Sequence, residues 1–240
     1  WEPAPEALFC RGILAYEEAR YLLAQQCFER CSQGLRRNTR KDTDLRYRTD
    51  FFLAASILAG GDHDDAPKAM RLMDRALDHL APDLESFYPV HEALKQLDRR
   101  LALKFLDAVD VGRGTQPDQI LFIALEYLAL GEAEPALRAA ERVLQIALDL
   151  DQRIEAMRTT LSARNMQGDR AAARATLFEI RELLMTRGAF EELERLLHSE
   201  EVVGQALDHL EIKCELVALY DEMDERLGLL QRGIAGRLTV

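Results

Sequence analysis

Apolar residues return every three or four positions along this chain, the period of a helix that buries one face. Runs of alternating β-branched residues are missing, so the pattern predicts helices and no strands. Gly and Pro fall mostly between the periodic segments, where they act as breaks. The clearest stretch is "EYLALGEAEPALRAAERVL" (126–144), which reads as helix, tight turn and helix. A single hairpin of this kind cannot bury its apolar face alone, so hairpins have to stack.

A repeat links the hairpins. A small residue followed four and seven positions later by packing residues occurs five times: Ala24–Phe28–Cys31, Ala69–Met73–Ala76, Ala102–Leu106–Val109, Ala136–Ala140–Val143 and Ala173–Leu177–Ile180. The anchors stand 45, 33, 34 and 37 residues apart, and the polar stretch "RRNTRKDTDLRYR" (36–48) lengthens the first interval. Gly12, Ile57, Ala124 and Leu161 each precede an anchor by 12 positions, which places them on the first helix of a hairpin. Gly131 and Gly168 precede theirs by five, at the turn, where glycine takes the left-handed conformation that ends a helix. Small residues on facing helices let the backbones approach, and larger ones fill the next layer.

These residues resemble the tetratricopeptide repeat family. The best match is 124–144, through Ala124, Tyr127, Gly131, Ala136 and Ala140; Gly12, Ala24 and Phe28 in 12–31 come next, then 161–180. The unit near 83–113 departs from the pattern: Pro89 falls inside its first helix, and 91–110 reads as one continuous helix. The resemblance implies an all-α, right-handed α-solenoid of antiparallel hairpins around 5–35, 50–80, 84–112, 117–148 and 153–185. The repeats would occupy 1–188, and 189–240 would form a long acidic C-terminal capping helix. In that last part Val203, Leu207, Leu210, Cys214, Val217, Tyr220, Met223, Leu227 and Leu230 step by threes and fours. The stripe suits either a cap over the last repeat or a coiled-coil seam that would make a homodimer.

Composition narrows the function classes. The chain has 240 residues, 48% hydrophobic and 30% charged, as a folded protein does, and no apolar run approaches a membrane span. It opens with Trp1 rather than Met and lacks a signal-peptide pattern, which reads as a segment of a longer protein that works in the cytoplasm or nucleus. Net charge is −11, which argues against nucleic acid as the partner. The charge is uneven: residues 1–48 hold nine Lys/Arg and seven Asp/Glu, whereas 189–226 hold three and twelve. Cys27 and Cys31 share a helix face without a second ligand pair, so they read as buried small hydrophobes rather than a metal site. Asp62, His63, Asp64 and Asp65 lack calcium-loop spacing and suit capping of the following helix, with Pro67 in its first turn. No nucleophile elbow, phosphate loop or zinc-protease helix is present, so no catalytic set, cofactor or metal is expected.

Two surfaces remain as binding candidates. Arg36, Arg37, Arg40, Lys41, Arg46 and Arg48 form a basic patch, diluted by Asp42 and Asp44. It reads as a solvated loop or as a landing site for an acidic or phosphorylated partner. In tetratricopeptide-like arrays the first helices line a concave groove for extended or helical peptides. Here the equivalent positions are Leu121, Leu125 and Leu128 in one repeat and Arg158, Ser162 and Asn165 in the next. The leucines would provide burial and Arg158 would pair a carboxylate, unless the leucines belong to the core. The function expected is a non-catalytic protein-interaction scaffold whose partner is another protein. The alternative is a regulatory or sensor repeat module that controls an attached effector domain, and an enzyme is the least favoured class.

Overall fold

The computed structural model describes residues 3–37, 43–61, 64–110, 116–199, 203 and 206–238. These hold twelve α-helices and no strand, so the all-α hairpin class expected from the sequence is the class observed. The chain forms two compact units, 1–114 and 115–240. The first contains α1 (Pro5–Glu17), α2 (Tyr21–Arg37), α3 (Thr43–Ala59), α4 (Ala66–Leu77), α5 (Tyr88–Leu97) and α6 (Arg99–Asp110). The second contains α7 (Pro117–Ala129), α8 (Ala133–Ile146), α9 (Leu150–Gln167), α10 (Arg170–Arg187), α11 (Phe190–Leu197) and α12 (His209–Leu238). Within each unit, each helix packs on its hairpin partner, and first helices also pack on the first helices of neighbouring hairpins (α1 on α3, α3 on α5, α7 on α9).

The repeated residues account for this stacking. All fifteen anchor-triplet residues are buried, and so are Gly12, Ile57, Ala124 and Leu161 on the first helices. Gly12 allows the closest approach: a Cβ there would lie 2.6 Å from the Phe28 ring. Gly131 and Gly168 have φ of 77° and 73°, and each sits in a turn whose next amide reaches back five residues, Glu132 N to Tyr127 O and Asp169 N to Arg164 O. This pairing satisfies carbonyls that the helix end leaves open. The α1–α2 turn uses the same bond, Arg20 N to Ala15 O, but places Ala19 at φ 54°. Cys27 and Cys31 are buried thiols, as expected; burial raises the Cys31 pKa, opposed by a hydrogen bond with Thr49.

Three expectations need correction. Residues 91–110 are two helices, not one. The backbone at Asp98 is extended (φ −154°, ψ 98°), and its carboxylate accepts from Leu101 N at 3.1 Å, so Asp98 starts a new helix. Pro89 lies in the first turn of α5, where its missing N–H costs nothing. Asp65 precedes α4, but its side chain caps no amide and instead faces Lys68 at 3.9 Å; Asp62 and His63 lie outside the described residues.

The third correction concerns the C-terminal stripe. Val203 and Leu207 are buried ahead of α12, while Leu210 (71% exposed), Cys214, Val217 (59%) and Tyr220 lie on its open side. Among the described side chains of that helix Leu219 is the buried one, with Ile212, Leu216 and Met223 packed beside it against the core. A capping box explains the offset. Asp208 Oδ1 accepts from Glu211 N and Glu211 Oε2 accepts from Asp208 N, both at 2.8 Å, so the helix starts at 209 and its periodicity restarts there. Glu211 also meets Arg170 and Arg174 of α10; the Asp208 amide, then Arg174, lower its pKa. The side chains of Leu227 and Leu230 lie outside the described residues.

Candidate functional site

In the second unit the first helices α7, α9 and α11 line an open cleft of about 330 Å³. Leu125 and Leu128 enter from α7. Glu155, Arg158, Thr159 and Ser162 enter from α9. Glu192, Arg195 and Leu196 come from α11, and Ser199 follows it. Leu125 is 52% exposed, an aliphatic side chain left open to solvent inside a concave surface.

The arrangement follows from a strict period. Glu155 and Glu192 stand 37 residues apart, and so do Arg158 and Arg195, Thr159 and Leu196, and the series Leu125, Ser162, Ser199. Equal spacing on equivalent helices puts equivalent residues in rows across the stack. Every lining residue except Leu128 belongs to one of these rows.

Electrostatics inside the cleft are balanced but not closed. Arg158 donates through Nη1 to Glu155 at 2.7 Å and through Nη2 to Glu192 at 2.9 Å, tying α9 to α11. Thr159 spends its hydroxyl on the Glu155 carbonyl at 2.9 Å. Arg195 is different: its Nε donates to the Glu191 carbonyl at 3.3 Å, and it makes no ion pair with a described residue. Its terminal nitrogens, and the buried Nε of Arg158, which has no hydrogen-bond partner among the described residues, are spare donors of the cleft, suited to a carboxylate.

Of the six residues expected to form the groove, Leu125, Leu128, Arg158 and Ser162 line this cleft together. Leu121 does not; it is buried in a core cluster with Ile120, Ala124, Val143 and Ala156. Asn165 is also buried, one turn beyond the cleft. The α11 contribution escaped the sequence reading, which placed 189–240 in an acidic capping helix. Continuing the 37-residue period past 165 finds it.

Arg36 and Arg37 end α2, Arg46 and Arg48 lie exposed on α3 with Arg48 paired to Asp44 at 2.9 Å, and Arg40 and Lys41 lie outside the described residues. Among the described residues no three His, Cys, Asp or Glu side chains gather as metal ligands, and no helix is long and apolar enough to cross a membrane.

No family model and no curated protein matches the chain. Among solved structures it is similar to the MamA protein (17% identity, 78% of this chain and 95% of that one, TM-score 0.46). It is also similar to a putative kinesin light chain of Podosopora anserina with nearly identical TPR-like repeats (17% identity, 78% of this chain and 99% of that one, TM-score 0.49). A second crystal structure of that kinesin light chain gives a similar match (17%, 79% and 100%, TM-score 0.48). The fold stands on this chain's own hairpin packing, which needs no support from likenesses of that size.

Proposed function

We propose that the chain is a non-catalytic protein-interaction scaffold, the helical-repeat segment of a larger protein or complex. It holds a peptide or helix of another protein in the α7–α9–α11 cleft. The observation that carries this reading is that the half-exposed Leu125 and the spare donors of Arg195 line one cleft, built of rows of 37-residue period. An aliphatic side chain of the partner covers Leu125 and Leu128, and a neighbouring carboxylate pairs Arg195, so that burial provides affinity and the charge fixes register. Arg158 serves as a strut between Glu155 and Glu192, which revises its expected role as the carboxylate receptor. Quantitative affinity capture by the parent chain and by a Leu125→Glu/Arg195→Glu variant tests the proposal. Proteins retained by the parent and lost by the variant are the expected result, and identical captured sets refute the cleft.

A further inference from the structure

A second cleft, in the first unit, has the opposite electrical character to the rest of this acidic chain. It measures about 490 Å³ and lies among α2, α3 and α4. Four cations line it, Arg36, Lys68, Arg71 and Arg75, against two carboxylates, Glu29 and Asp50. The carboxylates are already committed. Glu29 holds Lys68 at 2.6 Å, and Asp50, itself buried, holds Arg75 at 2.5 Å. Arg36 and Arg71 have no ion-pair partner among the described residues, so the cleft keeps two exposed guanidinium forks. A surplus of this kind in a chain of net charge −11 calls for an anionic occupant.

The lining says which kind. The half-buried Leu72 lies beside the cations, above the buried Leu53, so an occupant that carries an aliphatic group between its charges finds both needs met. Duplex nucleic acid would find two spare cations here and eleven surplus negative charges over the chain, too weak a field for a polyanion. A guanidinium fork receives a carboxylate or phosphate edge through two parallel hydrogen bonds. We propose that this cleft binds an acidic peptide segment of a partner protein, its carboxylate or phosphorylated side chains received by Arg36 and Arg71 and an aliphatic side chain by Leu72. The preset pairs Glu29–Lys68 and Asp50–Arg75 fix the walls, so binding costs little reordering. The site is separate from the α7–α9–α11 cleft and does not depend on it.

The test uses the full chain and two fluorescein-labelled peptides of alternating leucine and anion, one with glutamate and one with phosphoserine. Fluorescence anisotropy at low salt reads the affinity. At least one peptide binds, the affinity falls as salt rises, and Arg36→Ala/Arg71→Ala weakens it about tenfold or more, because two charge-assisted contacts are lost. Both residues are exposed, so circular dichroism of the variant matches the parent. Leu148→Glu, at a fully exposed residue that lines neither cleft, leaves the affinity unchanged. Four results overturn the assignment: neither peptide binds; the double variant stays within about twofold of the parent; Leu148→Glu weakens binding as far as the double variant does; or a duplex DNA oligomer binds more tightly than both peptides. Sedimentation supplies the last check. A low-salt dimer that the double variant abolishes assigns the cleft to a second copy of the chain and also overturns the proposal.

Discussion

The two units use the same hairpin plan with different fillings. The core of the first is a chain of rings: Phe9 meets Phe28 at 5.8 Å, Phe28 meets Phe52 at 5.7 Å, Phe51 meets Phe87 at 4.8 Å and Phe105 at 6.5 Å. The core of the second is aliphatic, built from Ile154, Leu161, Leu177, Ile180, Leu184, Leu193 and their neighbours. The repeat intervals differ in parallel, at 45 and 33 residues between the first three anchors against 37 between the last two. The difference has a functional side. Equal spacing stacks equivalent residues into rows and creates the α7–α9–α11 cleft, while the first unit forms its cationic cleft from α2, α3 and α4.

The contrast can be broken at its core. Phe28 is fully buried against Phe9, Phe52 and Gly12, so Phe28→Ala is expected to cost about 3–5 kcal/mol in urea denaturation. Leu177→Ala in the aliphatic core is expected to cost about 2–4 kcal/mol. A loss below about 1 kcal/mol at either site would show that the residue does not carry the core of its unit. Gly12→Ala forces a methyl group into the Phe28 ring, a loss of about 1–3 kcal/mol that Phe28→Leu partly rescues. Rescue failing altogether would show that Gly12 serves the backbone rather than the ring.

The turns sharpen the comparison. Gly168 has open space around it, so Gly168→Ala costs only the left-handed strain, about 1–2 kcal/mol. Ala19 already bears that strain, and Ala19→Gly should raise the melting temperature, with a gain of about 1 kcal/mol or less after the glycine's extra chain entropy is set against it. A fall in melting temperature would contradict the account of the turn.

The smallest expected effect is on pH dependence. Burial, and secondarily Tyr21, push the Tyr16 hydroxyl pKa upward. An unfolded tyrosine ionises near pH 10, below the folded group, so unfolding releases a proton in alkali. The stability contribution is therefore complete below about pH 10 and declines above it. Tyr16→Phe flattens that part of the urea-stability profile, and an unchanged slope in the variant would assign the decline to other groups.

Much of this was legible in the sequence, and the gaps have physical causes. The anchor triplets and the turn glycines were readable because close packing admits few residue types at those places. The helix break at Asp98 was missed because an apolar period runs through it, while its decisive cause is one carboxylate that accepts from Leu101 N. The face of α12 was misjudged because periodicity names a face only within one continuous helix, and the Asp208–Glu211 box resets it. In the α7–α9–α11 cleft, Leu125, Leu128, Arg158 and Ser162 were found by counting along two first helices. Arg195 was missed because the acidic composition of its surroundings masked its place in the row.

Photo-crosslinking tests the proposed cleft most directly. A benzophenone side chain is placed at Leu128, inside the cleft, and separately at Leu148, which is fully exposed and lines no part of it. Proteins captured by the parent chain are expected to crosslink from position 128 and not from position 148. Crosslinks of equal yield from both positions, or from 148 alone, would contradict the claim that the cleft holds the partner.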